Sequence, residues 1–176
     1  LLEGGTEAQK ARWLPAVAEG RATLAVATRP VELRAGRLHG ETWAVDGGAA
    51  DLLIVATGDG WYATEGGQRS RAKSMDQTRR RATLRFEGDA AEPMGPLGRC
   101  LDLARVGLAA ECVGVAEAAL EMAVEYAKVR EQFGRPIGSF QAVKHICADM
   151  LVKLESARSA VWWAGWAAEA GEDPLE

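Results

Sequence analysis

The stretch Arg130-Glu131-Gln132-Phe133-Gly134-Arg135-Pro136-Ile137-Gly138-Ser139-Phe140-Gln141 is the pivot on which the fold turns. Its Gly134-Arg135-Pro136 stops one helix-period pattern, and a second begins within a few residues. Upstream, Leu108, Cys112, Val115, Ala119, Met122, Tyr126 and Val129 step by 4 and 3 residues, which predicts a helix over 101–129. A second apolar row (Leu103, Val106, Ala110, Val113, Leu120, Val124) flanks the first, and the narrow stripe Glu117, Glu121, Glu125 reads as a solvated face. Downstream, Val143, Cys147, Met150, Leu154, Ala157, Val161 and Ala164 keep the same register in a helix from about Ser139 to Ala170. Two helices this apolar cannot bury themselves in a lone hairpin. They call for further helices from a missing segment, a partner chain, or both.

Ahead of the helices the period changes to two. Residues 7–19 read as a short helix closed near Gly20, and then Thr23–Thr28, Glu41–Val45, Asp51–Thr57, Trp61–Thr64 and Ala82–Glu87 read as short strands. Asp46-Gly47-Gly48 and Gly58-Asp59-Gly60 are hairpin signals. Short strands at this spacing predict a small antiparallel β-barrel or sandwich, and a Pro- and Gly-containing connector, Glu92 to Gly98, leads to the helices. The fold class is therefore α+β, a small β-domain followed by a partial antiparallel α-helical bundle.

Across its 176 residues the chain is 48% hydrophobic and 26% charged, with a net charge of −4, values of a globular protein and not of a disordered tail. Unbroken apolar runs such as Leu52 to Ala56 are far below the ~20 residues of a membrane span. Cys100, Cys112 and Cys147 form no CxxC and leave an odd thiol, so neither a disulfide framework nor a zinc site is indicated. With no signal-peptide pattern, a cytoplasmic location is the default expectation, and the absent initiator Met suggests a piece of a longer protein.

The inventory of chemistry is thin. His39 and His145 have no Cys or carboxylate at metal-ligand spacing, and no G-x-S-x-G, P-loop or G-x-G-x-x-G occurs. Arg69, Arg71, Lys73, Arg79, Arg80, Arg81 and Arg85 face a single anion, Asp76, within one segment. A solvated hairpin, a phosphate contact, or nucleic-acid binding would each use such a patch. The overall acidity and the lack of interleaved aromatics argue against nucleic acid. Trp162, Trp163 and Trp166 suit an oligomer contact. In the pivot, Arg130 suits a pyrophosphate, Phe133 a ring, and Gln132 and Gln141 adaptable hydrogen bonds; a plain capped corner explains the same residues equally well.

Tyr126-Ala127-x-x-Arg130-x-Gln132-Phe133-Gly134-x-Pro136-Ile137-x-x-Phe140-Gln141, followed by His145 and Ala148-Asp149-Met150, resembles the C-terminal-domain signature of acyl-CoA dehydrogenases. Gly5-Thr6-Glu7-x-Gln9-Lys10-x-x-Trp13-Leu14-Pro15 is similar to the end of that family's N-terminal helical domain. Asp46-Gly47, Ala50 to Val55 and Met75-Asp76-x-Thr78-Arg79-Arg80 resemble its middle β-domain. The resemblance implies three parts: residues 1–20 as a remnant of the N-terminal domain, 21–95 as the middle β-domain, and 96–176 as the first two helices of the C-terminal bundle. It also implies FAD-dependent α,β-dehydrogenation of an acyl-CoA thioester within a homo- or hetero-oligomer, with electrons passed to an electron-transfer flavoprotein. By motif, Arg130, Gln132, Phe133, Ile137 and Gln141 would contact the ADP part of FAD, largely that of a neighbouring subunit. Thr28 and Trp43 would face the flavin.

The departures from the family pattern carry equal weight. Thr28-Arg29-Pro30-Val31-Glu32 stands where the family has Thr-Glu-Pro and then Gly-Ser-Asp, and reads as a short loop. Trp43-Ala44-Val45 stands for Trp-x-Thr and lacks the hydroxyl. Ala104-Arg105 stands where some members carry a catalytic Glu before Arg, so no residue of the chain is assigned a catalytic role. The alternative expectation is a non-catalytic, FAD-clamping structural subunit of a hetero-oligomer.

Overall fold

The computed structural model describes residues 1–170, in a β-rich unit over Leu1–Leu97 and a helical unit from Gly98 onward. The end of the expected 96–176 domain, 171–176, lies outside the described residues.

The first unit starts with α1 (Glu7–Ala18), set by a capping box. The Gln9 amide donates to Thr6 Oγ1 at 3.2 Å, and the Thr6 amide donates to Gln9 Oε1 at 2.9 Å. Gln9 is buried, and its Nε2 donates to Glu92 Oε2 at 3.1 Å, which ties the helix to the end of the sheet. Seven strands follow: β1 (Leu24–Arg34), β2 (Arg37–Val45), β3 (Leu52–Thr57), β4 (Gly60–Thr64), β5 (Gln68–Arg71), β6 (Arg81–Ala90) and β7 (Glu92–Met94). Their order in the sheet is β5-β6-β2-β1-β3-β4-β7. Every pair is antiparallel except β1 with β3.

Strand β1 joins the two halves. Its first part pairs with β3 (Leu24↔Leu52 through Ala27↔Val55) and its last part with β2 (Glu32↔His39 through Arg34↔Arg37). A register shift between Ala27 and Val31, beyond which Val31 still pairs with Thr57 of β3, accommodates Pro30, which has no amide to donate. The two halves then cover each other: Ala25, Ala27, Leu53 and Val55 of one and Leu38, Ala44, Ala82, Leu84 and Phe86 of the other form one buried cluster.

Two local expectations need correction. Thr28–Glu32 is not a loop but the middle of β1, because Val31 turns into the core. Asp46-Gly47-Gly48 closes no hairpin; β2 leaves it to cross over to β3, which pairs elsewhere. The true β1–β2 turn is Ala35-Gly36, both at positive φ (48° and 73°), a two-residue turn of the hairpin-favoured hand. The Gly58-Asp59 turn and the β5–β6 hairpin form as expected.

The helical unit is an antiparallel pair, α2 (Gly98–Val129) and α3 (Gln141–Ala170). The seam on α2 is the row expected to flank it: Val106, Val113, Leu120 and Val124 are half-buried against α3. The row expected to lead, including Val115 (65% exposed) and Met122 (69%), is open. Leu108, Tyr126 and Val129 are open too, as are Leu151, Val152, Trp162, Trp163 and Trp166 of α3. A lone hairpin thus leaves its second apolar faces uncovered, as the periodicity requires.

Glu117 is not part of a solvated stripe. Arg158 of α3 donates to its Oε1 at 2.7 Å across the seam, and Glu155 braces Arg158 at 3.4 Å. The Arg158 hydrogen bond, helped by its charge, holds the Glu117 carboxyl below the usual carboxylate range. A carboxylate with a lowered folded pKa stabilises the fold above its ordinary pKa, and the contribution disappears as pH falls through the folded value. Glu117→Gln is therefore expected to flatten the acid limb of helical stability below about pH 5. Urea titrations followed by helical CD at pH 7 and at pH 3 check this, and an equal slope in both proteins would sink it.

Candidate functional site

The pivot is built as a corner in three steps. Strands β8 (Glu131–Gln132) and β9 (Arg135–Pro136) pair as a miniature hairpin. Its two-residue turn is Phe133-Gly134, with φ of 53° and 74°. Gly accepts that conformation freely; Phe does not, so an aromatic is held in left-handed backbone at the tip. A 3-10 turn, Ile137–Ser139, then leads into α3. The Ile137 amide donates to Arg130 O at 2.7 Å, closing the hairpin at its base.

Side chains follow from this frame. Phe133 is 90% exposed, its ring edge-on to Phe140 at 6.1 Å and 84°. The Arg135 guanidinium lies 4.2 Å from the Phe140 ring centroid and locks that side of the corner. Arg130, Gln132 and Gln141 are exposed, and Ile137 is half-buried at the base. Gln141 Nε2 lies 3.5 Å from His145 Nε2, so the imidazole is within reach of one candidate ligand residue. Gly138 is the close approach: a Cβ there would sit 2.9 Å from Ala127 O of α2. All five expected residues of the pivot, Arg130, Gln132, Phe133, Ile137 and Gln141, thus share one corner. It offers a guanidinium, two amides and an uncovered aromatic edge to a ligand from outside, a donor set that fits a dinucleotide's phosphates and ring.

Thr28 and Trp43 lie in the β-rich unit, on the neighbouring strands β1 and β2. The pairing of the two strands runs from Glu32 with His39 to Arg34 with Arg37, and beyond it Thr42 Oγ1 donates to Arg29 O at 2.9 Å. Alternation turns Ala27, Thr42 and Ala44 inward and Val26, Thr28, Trp43 and Val45 outward. Trp43 is 41% exposed and pairs with Thr83 of β6, and Thr28 is exposed on β1. The Trp43 indole fits one side of a flat ring.

Three side-chain contacts were not foreseen from the sequence. Arg81 stacks on Trp43 with its Cζ 4.5 Å from the ring centroid, and Phe140 and Arg135 brace the corner. The alternation of Leu84 and Phe86, carried back three residues, would have put Arg81 on the outer face with Thr83; its partner is non-local and has no sequence signal. Elsewhere in the basic segment Arg69 donates to Ala50 O and Glu65 O, and Arg85 pairs with Glu87 at 2.9 Å. Ala104 is exposed on α2 and has no ionisable group. Among the described residues no group of His, Cys, Asp and Glu could hold a metal ion, and no helix is long and apolar enough to cross a membrane.

Comparison with known proteins finds relatives of one family. The sequence profile of the acyl-CoA dehydrogenase C-terminal domain matches residues 97–176. The acyl-CoA dehydrogenase IpdE2 of Mycobacterium tuberculosis is 43% identical over 119 residues, covering 68% of this chain and 37% of the relative. Among solved structures, glutaryl-CoA dehydrogenase from Mycobacterium smegmatis superposes with a TM-score of 0.78 at 29% identity, covering 96% of this chain and 52% of that one. Butyryl-CoA dehydrogenase from Megasphaera elsdenii does so with 0.75 at 32%, covering 97% and 56%. The chain therefore spans between about a third and just over half of the length of these three relatives. The pivot signature, the α+β architecture and these matches converge: the chain belongs to the acyl-CoA dehydrogenase family.

Proposed function

We propose that this chain contributes an FAD-binding surface to an acyl-CoA dehydrogenase that acts as an oligomer. Its parts are residues 1–20 as the end of an N-terminal helical domain, 21–95 as the middle β-domain, and 96–176 as the start of the C-terminal bundle. The observation that carries the reading is the gathering of Arg130, Gln132, Phe133, Ile137 and Gln141 on a corner whose aromatic tip is uncovered. Arg130 would neutralise the pyrophosphate, Phe133 and Ile137 would flank the adenosine, and Gln132 and Gln141 would take its polar edges. In the other unit, Thr28 would offer a hydroxyl to the flavin and Trp43 would cover one side of the ring. When bound, FAD supplies the hydride acceptor for α,β-dehydrogenation of an acyl-CoA thioester, with electrons leaving to an electron-transfer flavoprotein. The chain's own residues bind and orient, and none of them is assigned the removal of the α-proton. A cytoplasmic location belongs to the same reading.

An outward aromatic tip is of use only against something outside its own helix pair, which favours a cofactor shared with a second chain. A second reading, a non-catalytic FAD-clamping subunit of a hetero-oligomer, is favoured by Ala104 beside Arg105 and by Val45, which has no hydroxyl on the outer face beside Trp43.

The test is FAD retention by the purified chain, read as a protein-perturbed flavin absorbance after excess cofactor is removed. Arg130→Leu is expected to weaken FAD binding by about 10–100-fold, the effect of one lost charge-assisted contact. Unchanged affinity would remove the corner from the site. Acyl-CoA bleaching of the bound flavin then separates the two readings: bleaching by the chain alone supports the enzyme, and bleaching only with a second dehydrogenase-like chain supports the subunit.

A further inference from the structure

The loop between β5 and β6 has no part in the function proposed above. Residues 71–81 carry five cations, Arg71, Lys73, Arg79, Arg80 and Arg81, against the single carboxylate of Asp76. Arg71, Lys73 and Arg80 are exposed and have no ion-pair partner among the described residues. Arg29 and Arg37 lack one as well, so free charge alone does not mark the loop. Met75 marks it: its side chain is fully exposed, more than any other large apolar side chain described. The loop is braced from within. The Thr78 amide and hydroxyl donate to Asp76 Oδ1 at 2.9 and 2.6 Å, and the Ala72 amide donates to Arg81 O at 2.9 Å across the base. A braced apolar tip flanked by cations loses little freedom on contact, and it suits an apolar hollow with carboxylates at the rim.

The helical unit carries such a hollow. Between α2 and α3 lies a groove of about 580 Å³ whose apolar lining includes Leu120, Val124 and Leu151, with Glu121 and Glu125 also lining it from α2. Glu121 is exposed and has no ion-pair partner among the described residues, and Glu125 pairs with Lys128 of its own helix at 2.5 Å. Lys144 of α3 does not line the groove. We infer that the β5–β6 loop of one copy of the chain docks in this groove of a second copy. Met75 would enter between Leu120, Val124 and Leu151, and Arg71, Lys73 and Arg80 would face Glu121 and Glu125. The net charge of −4 includes this basic loop, so the remainder of a copy is more negative still and draws the loop in. Tip and groove are different surfaces of one chain, so every copy offers both. The contact rests on the oligomer reading above and assigns it a surface.

Sedimentation velocity of the chain over a concentration series, at low and at high salt, tests the contact, and CD verifies that each variant is folded. Lys73→Glu together with Arg80→Glu is expected to weaken self-association at least about tenfold, because like charges then face each other. Glu121→Lys is expected to act the same way from the groove side. A chain carrying all three reversals again sets opposite charges against each other and is expected to regain much of the loss. Met75→Ser removes the apolar tip and is expected to cost about tenfold at either salt concentration. Wild-type association is expected to weaken as salt is raised. If the chain with all three reversals associates no better than the variants it combines, loop and groove do not meet and the inference is overturned. An oligomer that none of these changes weakens overturns it while the oligomer reading stands. A wild type that stays monomeric throughout overturns both.

Discussion

Phe86→Ala is expected to destabilise the β-rich unit by about 3–5 kcal/mol, the range for deleting a large aromatic from a packed core. Phe86 is 2% exposed and is the largest fully buried side chain of the unit. It stands on β6 in the cluster where the two halves of the sheet cover each other, with Leu84 and Leu38 on its own half and Leu53 and Val55 on the other. The backbone is already drawn tight around it. At Gly67, which has a φ of 97°, an added Cβ would come within 2.6 Å of Phe86 Cε1. With neighbouring chain paired on both sides in a ladder, the site cannot collapse to fill the void, which puts the cost toward the upper end of the range. Amide exchange in β3 and β6 is the suitable probe, because it reads this unit without the helices. Protection is expected to drop by roughly 10²–10³-fold. A drop under tenfold would mean that the two halves of the sheet do not depend on this ring.

That core was readable in advance because Leu84 and Phe86 alternate with Thr83, Arg85 and Glu87, and period two leaves one reading of which face is inside. The strand limits were less readable. Thr28-Arg29-Pro30-Val31-Glu32 contains a proline and two charges and reads as loop, yet Val31 is needed in the core, and tertiary burial overrides local preference. Ala35 was invisible as a turn residue, since alanine has no preference for positive φ and is held there by the pairing of Arg34 with Arg37. The parallel β1–β3 pair was equally hidden, because strand order is a property of contacts distant in sequence.

In the helices the period was legible and the choice of face was not. Both rows of α2 are apolar, so nothing local distinguishes Val113, which packs on α3, from Val115, which is open. The difference lies in Arg158, 41 residues beyond Glu117, which draws one carboxylate of an otherwise solvated stripe into the seam. The candidate site divides in the same way. The five pivot residues were legible because they lie within twelve positions of one another in a single turn-rich segment. Thr28 and Trp43 were singled out only through resemblance, and Arg81 was legible as part of a basic segment while its stacking on Trp43 was not, because that partner lies 38 positions away on a different strand.

The pivot itself depends on Gly138, and Gly138→Val is expected to cost about 2–4 kcal/mol of helical-unit stability and at least tenfold in FAD affinity. The 3-10 turn Ile137–Ser139 lies against the last turn of α2 so closely that an added Cβ would sit 2.9 Å from Ala127 O and 3.2 Å from Ala127 C. Those are backbone atoms of a helix, and no side-chain rotation relieves the clash. The turn must lift away, which breaks the 2.7 Å bond from the Ile137 amide to Arg130 O. It also shifts Ile137 and Gln141 relative to Arg130, so ligand contacts on the two sides of the corner lose their common geometry. Gly114 is the control, because an added Cβ there, midway along α2, meets nothing within 4 Å. Gly114→Ala is expected to stabilise the helix by up to about 1 kcal/mol and leave FAD affinity as it was. Thermal melts followed by helical CD, paired with flavin retention, read both quantities in each variant. If Gly138→Val melts early and still holds FAD at wild-type affinity, the corner tolerates displacement and the cofactor depends on other residues. If both quantities fall together while Gly114→Ala moves only the first, the close packing of Gly138 on Ala127 is what holds Arg130 and Gln141 in register for a ligand.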